Sequence, residues 1–335
     1  MQTVAGGLTK HGPCQLGNAT MCDWHAHCYP GRLARSTQGA LMTIRPRRSV
    51  LYMPGSNARA IEKAKSLPVD GIIIDLEDAV APDAKDAART QVADAVRAGG
   101  FGHREVMIRL NGIETPWFAH DFEAAIAARP DAILVPKIST PAQIEMIGTR
   151  LLDTHADHHV RLWAMIETPA AIFNIRALAA EAEDSESRLA GFVIGTNDLA
   201  KETRARLVPG RAPMLPWLSA CVLAAHAYGI DVLDGVYNDI ADAEGFAAEC
   251  AQGRDMGFDG KTLIHPSQIA PCNAVFSPSE EEAAQARRII DAFDRPENRG
   301  KGVVQIDGRM VERMHADIAR RTVAIVEAIE KTRAS

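Results

Sequence analysis

The stretch GIIIDLEDAVAPDAK, Gly71 to Lys85, decides the fold. It opens as an apolar run, Ile72-Ile73-Ile74, and closes on three acids, Asp75, Glu77 and Asp78. A strand that buries three isoleucines cannot leave carboxylates uncompensated at its end. The acids are therefore either solvated or turned toward something positive. The text that follows, DAKDAARTQVADAVRA, has the spacing of a helix.

The same rhythm repeats from Arg45 onward. Short apolar runs with polar tips recur as SVLYMPGS (49–56), GIIIDLED (71–78), EVMIRLNG (105–112) and AILVPKIS (132–139). They continue as RLWAMIET (161–168), GFVIGTND (191–198), GIDVLDGV (229–236) and GKTLIHPS (260–267). Ala-rich helical patterns separate them. Alternating strands and helices imply a parallel sheet with helical crossovers. Eight units in about 240 residues predict an α/β fold, a (β/α)8 TIM barrel, over residues 45–278. The alternative is an open doubly wound sheet. Its dinucleotide-binding form is disfavoured, because no Gly-x-Gly-x-x-Gly follows the first strand.

Both ends of the chain read differently. Residues 1–44 carry no sustained apolar period and read as a disordered leader or an upstream-start extension before Met42. CDWHAHC (22–28) has side chains that suit zinc, but within such a leader it is set aside. Residues 279–335 form a helical extension: a helix over 279–295, a loop, a short strand or turn at VVQIDG, and an amphipathic helix from Met310. This extension is expected to cap an active site, its own or a neighbouring subunit's.

Composition narrows the function classes. The net charge is -6 and aromatic residues are 5%, which argues against a nucleic-acid partner. No window is apolar enough for a membrane span. The six cysteines show no Cys-x-x-Cys pair and no disulfide framework, so a cytoplasmic setting is expected.

Barrel active sites sit at the carboxyl ends of the strands. Those ends hold Pro54, Gly55 and Ser56, then Asp75, Glu77 and Asp78, then Arg109 and Asn111. Lys137, Glu167, Asp198, Asp234 and His265 follow. Strand alternation puts Met107, Arg109 and Asn111 on one face, and Trp163, Met165 and Glu167 on one face. It also puts Phe192, Ile194, Thr196 and Asp198 together. Glu167 and Asp198 end consecutive strands and could grip one cation, since two carboxylates plus waters is how Mg2+ is usually held. Asp198 or Asn197 could instead cap the following helix. Arg109 suits bidentate recognition of a carboxylate or phosphate, or an ion pair with Asp75 or Glu77. Lys137 could form a Schiff base, but a salt bridge in the barrel mouth is the better reading. His265, before Pro266, reads as a structural hydrogen bonder on a turn. PGSNARAIEKAKS (54–66) sets a Gly-Ser turn before a helix carrying Arg59, Lys63 and Lys65, which favours anions or is simply a solvated basic face.

Together, RSVLYMPGS, DLEDAVAPDAK, IRLNG, VPKI, IETPAAI, GTNDLAKE, DGVYNDIADAEG and GFDGKTLIHPSQI resemble the citrate lyase β-subunit-like (CitE-like) proteins of the HpcH/HpaI aldolase superfamily, which includes the malyl-CoA lyases. The resemblance spans about residues 45 to 330. It implies a Mg2+-dependent carbon–carbon lyase. Such an enzyme cleaves a malyl-, citramalyl- or citryl-CoA-like 3-hydroxyacyl-CoA to an acyl-CoA and a small oxo acid. By the matching motifs, Glu167 and Asp198 hold the metal, Arg109 contacts substrate, and Glu77 and Asp78 hold metal-bound waters. Pro54, Gly55, Ser56, Arg59, Lys63, Asp234 and Tyr237 line the CoA. The resemblance also implies a homo-oligomer, a trimer or hexamer, in which the acid of a C-terminal motif serves proton transfer in a neighbour's site. Here that motif is GRMVE, with Glu312 where Asp is common, and GTND replaces a GxED pattern. These departures keep open an acyl-CoA thioesterase on the same scaffold. A non-catalytic CoA-ester-binding subunit is the third reading.

Overall fold

The computed structural model describes residues 44–334, so the expectations for the leader, CDWHAHC among them, lie outside the described residues. The first half of the barrel runs β1 (Ser49–Pro54), α1 (Ala58–Ala64), β2 (Gly71–Asp75), α2 (Lys85–Ala98), β3 (Glu105–Arg109), α3 (Phe118–Ala128), β4 (Ala132–Val135) and α4 (Pro141–Asp153). The second runs β5 (Arg161–Ile166), α5 (Pro169–Ala180), β6 (Leu189–Ile194), α6 (Thr196–Thr203), α7 (Leu215–Tyr228), β7 (Asp231–Asp234), α8 (Ala243–Met256), β8 (Gly260–Leu263) and α9 (Ile269–Phe276). Strands β1 to β8 pair in parallel, in chain order, and close into a barrel. This is the expected TIM barrel.

Period-two alternation sorts the strand side chains. Val50, Ile73, Met107, Leu134, Trp163, Met165, Val193 and Leu233 fill the barrel interior. Their strand neighbours, such as Leu51, Ile72, Ile74, Ile108 and Phe192, pack outward against the helices. The interior is tight: a Cβ at Gly191 would lie 2.5 Å from the Trp163 ring, so that indole needs a glycine opposite it on β6.

Two expectations change here. Strand β6 stops at Ile194 and the chain turns into α6 at Thr196, so Thr196 and Asp198 do not share a strand face with Phe192. Phe192 and Ile194 in fact belong to the outward layer. The second change concerns the extension. It comprises α10 (Glu280–Asp294), a hairpin of β9 (Val303–Ile306) and β10 (Arg309–Glu312), and α11 (Arg313–Ala334). Met310 to Glu312 are strand rather than helix, because Asp307 (φ 50°) and Gly308 (φ 78°) make a tight turn that returns the chain on β9.

The extension does not cap its own barrel's mouth. Arg321 of α11 bonds Asp259, just before β8, at 2.8 Å, and Glu282 of α10 bonds Arg254, in the last turn of α8, at 2.7 Å. Thr332 lines a cavity with Arg48, Asp70 and Arg104, which lie just before β1, β2 and β3. All these partners mark the amino ends of the strands, the face opposite the carboxyl-end mouth.

A buried ion cluster ties β7 and β8 to α8. Asp234 has 0% exposure. It accepts from Arg211 at 2.7 and 2.9 Å and from Lys261 at 3.0 Å, and Lys261 also bonds Glu249 of α8 at 2.7 Å. Burial alone would push the Asp234 carboxyl up, but Lys261 and Arg211 hold it below its ordinary range. Removing one member of a buried pair strands the other charge. Asp234→Asn is therefore expected to cost about 3–5 kcal/mol in urea unfolding at pH 7. A depressed carboxylate contributes its stability above its unfolded value and loses it as pH falls through the lower folded value. The gap between variant and wild type should therefore persist down to about pH 4 and narrow only below it.

Candidate active site

Strands β2 and β3 set the first part of the mouth. Asp75 and Arg109 are register partners on adjacent strands, on the same inward-facing alternation as Ile73 and Met107. Arg109 Nε and Nη2 donate to the two Asp75 oxygens, each at 2.6 Å. The same carboxylate accepts the backbone N–H groups of Glu77 (2.8 Å) and Ala79 (2.9 Å). Asp75 thus fixes both the arginine and the turn that leaves β2. Lys85, the last residue of the opening stretch, donates from Nζ to the carbonyls of Leu76 and Glu77, each at 2.9 Å, and closes that turn. Burial would lower the Arg109 pKa, but Asp75 more than reverses this and raises it well above its ordinary value.

Glu77 lies between two cations. One oxygen accepts from Lys137 Nζ at 2.8 Å; the other is 3.0 Å from Arg109 Nη1 without hydrogen-bond geometry. Burial nevertheless leaves its pKa raised. Asp78 is exposed and only 3.4 Å from Arg109 Nη1 at the edge of the cluster. Lys137 therefore makes a salt bridge, and the ion pair with Glu77 raises its pKa against the pull of burial. Its backbone has φ 57°, a conformation that costs of order 1 kcal/mol for a non-glycine residue and that persists here where its N–H meets Glu167.

Glu167 follows β5 on the face of Trp163 and Met165, and is 1% exposed. Oε1 accepts the Lys137 N–H at 2.8 Å, whereas Oε2 is buried with no hydrogen-bond partner. A Cβ at Gly195 would sit 2.5 Å from Glu167 Cβ and Oε2, so the glycine that follows β6 makes room for this side chain. Asp198 stands in the first turn of α6, half-buried, and the mutual amide pair of Asn197 and Asn238 fastens that turn to the loop after β7. Burial first, then Glu77 and Asp198, push the Glu167 carboxyl up to about 8. A buried carboxylate oxygen without a donor, beside a second acid, is chemically suited to a hard divalent cation. Among the described residues no three His, Cys, Asp or Glu side chains group as a complete metal cage. A cation held by two carboxylates would keep positions for water and substrate, the usual style of Mg2+.

Other candidates fall elsewhere. Asn111 turns from the mouth to Leu76 O (3.0 Å) and to Asp121 of α3, so it serves the scaffold. Asp234 cannot line a ligand, since it points outward from the barrel into the ion cluster under α8. His265 is exposed and bonds Ser267 at 2.8 Å on its turn. Pro54 and Gly55 end β1 at the mouth; Ser56, Arg59 and Lys63 are exposed beside them. Tyr237, on the loop after β7, donates to Asp242 at 2.5 Å. Glu312 ends β10 in the extension, and its backbone N–H donates to His315 at 2.9 Å. Sequence reasoning passed over Tyr52, although its alternation with Val50 places it inside the barrel. The Arg109 Cζ lies 5.0 Å from its ring centroid.

The mouth of this (β/α)8 barrel thus carries an arginine–carboxylate pair beside two further acids, Glu167 just after β5 and Asp198 at the head of α6. The chain belongs to the HpcH/HpaI aldolase/citrate lyase family, whose model matches residues 48–266. Its relatives include a (3S)-malyl-CoA thioesterase of Cereibacter sphaeroides, 49% identical over 290 residues, covering 87% of this chain and 98% of the relative. The citrate lyase subunit beta of Escherichia coli K12 is 32% identical over 288 residues, covering 84% and 94%. Among solved structures, the CitE protein of Mycobacterium tuberculosis in complex with magnesium, acetoacetate and coenzyme A superposes with a TM-score of 0.66 at 27% identity, covering 84% of this chain and 97% of that one.

If the Glu167–Asp198 pair holds the cation, Glu167→Ala should abolish Mn2+ uptake measured by electron paramagnetic resonance, used as a Mg2+ surrogate. Wild-type affinity in that variant would remove Glu167 from the ligand set.

Proposed function

We propose that this chain is a Mg2+-dependent enzyme that hydrolyses the CoA thioester of a short hydroxy acid, malyl-CoA in type, to the free acid and CoA. The carrying observation is one barrel mouth that joins a fixed guanidinium, Arg109, to a buried carboxylate oxygen of Glu167 that has no partner. Hydrolysis is placed ahead of carbon–carbon cleavage because the relatives named (3S)-malyl-CoA thioesterase match at 49% identity over 98% of their length. The lyase reading, first on sequence alone, becomes the second. It keeps support from the citrate lyase subunit beta relatives and from the acid Glu312.

In this reading Glu167 and Asp198 hold the ion, and Glu77 and Asp78 orient its waters. Bound there, Mg2+ supplies Lewis-acid polarisation of substrate oxygens. Arg109 stabilises the negative charge that develops on the thioester oxygen, and Asp75 keeps it aimed. That requirement is common to water adding at the thioester carbon and to enolate formation in carbon–carbon cleavage. Lys137 balances Glu77 and positions Glu167 through its N–H. Exposed Ser56, Arg59 and Lys63, with Tyr237, line the CoA; the two cations suit its phosphates.

Glu312 cannot serve its own barrel, because the extension sits at the amino-end face. Its use in catalysis therefore requires a neighbouring subunit, and a homo-oligomer, a trimer or hexamer, follows as part of this reading. Met310, Met314 and Ile318 lie exposed on the hairpin and α11, as expected of a surface that an assembly covers. Among the described residues no helix is long and apolar enough to cross a membrane, and Cys221, Cys250 and Cys272 are buried thiols. Both features suit a cytoplasmic enzyme.

A panel of CoA thioesters, assayed with and without Mg2+ for free thiol and for carbonyl product separately, tests the reading. Metal-dependent thiol release without matching oxo acid is the expected result, and chelation should remove it. Oxo acid in step with acyl-CoA would instead establish the lyase, and CoA binding without turnover the non-catalytic subunit. Arg109→Lys should lower kcat by about 10²–10³-fold, since lysine cannot keep the bidentate contact with Asp75 while addressing the thioester oxygen.

A further inference from the structure

Tyr52 closes the floor of the mouth. Its ring stacks beneath the Arg109 guanidinium, 5.0 Å from centroid to Cζ. The side chain crosses the barrel from β1 to β5, the strand opposite, where its hydroxyl lies 4.0 Å from Met165 Sδ. Arg109 Nη1 lies 3.8 Å from the same sulfur. Met165 precedes Glu167 by two residues on one strand face, so the sulfur that the hydroxyl meets belongs to the inward position next below Glu167. Among the described residues that thioether is the hydroxyl's only hydrogen-bond partner. A thioether sulfur is a weak acceptor, and at 4.0 Å the contact is at its outer limit. Tyr52 is half-buried, and a tyrosine hydroxyl turned into a barrel ordinarily finds an oxygen or nitrogen. Burial also pushes the phenol pKa up, and Arg109 reverses this only in part, so the group remains a neutral O–H donor.

We propose that Tyr52 Oη donates a hydrogen bond to an oxygen on the acid end of the substrate, and so selects acyl groups that carry a hydroxyl or oxo oxygen next to the terminal carboxylate. This rests on the proposed function for the identity of the substrate, and it deepens that reading by assigning the residue that reads the acyl oxygen. Ring and hydroxyl have separate tasks. The ring supports Arg109, which a phenylalanine would do as well. The hydroxyl has no partner in the scaffold that needs it.

Tyr52→Phe separates the two. Affinity for oxaloacetate, measured by calorimetry on the full chain in Mg2+, should weaken about tenfold in the variant, the loss of one hydrogen bond to a charged or strongly polar group. Melting temperature and Mn2+ uptake should stay at wild-type values, which a merely structural hydroxyl would not allow. The preference in kcat/KM for malyl-CoA over succinyl-CoA, its analogue without the hydroxyl, should fall by a similar factor. Equal oxaloacetate affinity in the two proteins, or none in wild type, would overturn the assignment; the first would mean that the hydroxyl serves only a water. Should wild type hydrolyse no CoA thioester yet bind oxaloacetate in a Tyr52-dependent way, the proposed reaction fails and the role of Tyr52 stands.

Discussion

The pairing of Asp75 with Arg109 organises the mouth of this barrel. A guanidinium buried at the end of a strand needs an anion in a fixed place, and a carboxylate there needs donors. Asp75 meets both conditions, holding two arginine nitrogens and two backbone N–H groups with its two oxygens. What remains of Arg109, its Nη1 edge, is left to Glu77, Asp78 and Met165, with Tyr52 beneath the plane. The lysine that ends the same sequence stretch fastens the turn by two backbone carbonyls. One βα unit therefore supplies both the charge and its support. The acids of GIIIDLED divide between an arginine and a lysine, and Glu167 and Asp198 are the pair proposed for the ion.

The barrel was legible because buried parallel strands write apolar runs, and turns into helices write polar tips. The interior could also be read where alternation holds: Met107 with Arg109, and Trp163 and Met165 with Glu167. Alternation failed where the strand had already ended. Asp198 reaches the mouth from the first turn of a helix, so counting in twos from Phe192 selects the outward face. Asp234 misled for a related reason. It ends its strand one position after the inward Leu233, and a strand-end acid whose parity points outward meets helices rather than ligand. Its partners, Arg211 and Lys261, lie 23 and 27 residues away in sequence, and no local pattern announces them. Tyr52 was legible by the same counting, at a position that reads as ordinary apolar filling unless the phenol's far end is considered.

The extension stands apart from the barrel mouth. Its helices and hairpin bury Phe293, Val304, Val311 and Ala316 in a small core of their own, and the helices anchor at the amino-end face. Glu312 and the apolar Met310, Met314 and Ile318 are thereby held outward, away from the site formed by β2 to β6. An acid displayed in this way belongs to the chemistry only if another copy brings its mouth to it. In the proposed reading, the contrast between hydrolysis and carbon–carbon cleavage turns on assembly as much as on the residues within one barrel.

We propose that the orphaned oxygen of Glu167 and the acid at the head of α6 share one divalent cation. An anomalous difference map from crystals grown with Mn2+ measures this directly. A single strong peak is expected in contact with Glu167 Oε2 and an Asp198 oxygen, with Lys137 still bonded to Glu77. A peak elsewhere in the barrel, or an ion bound through neither carboxylate, would contradict it.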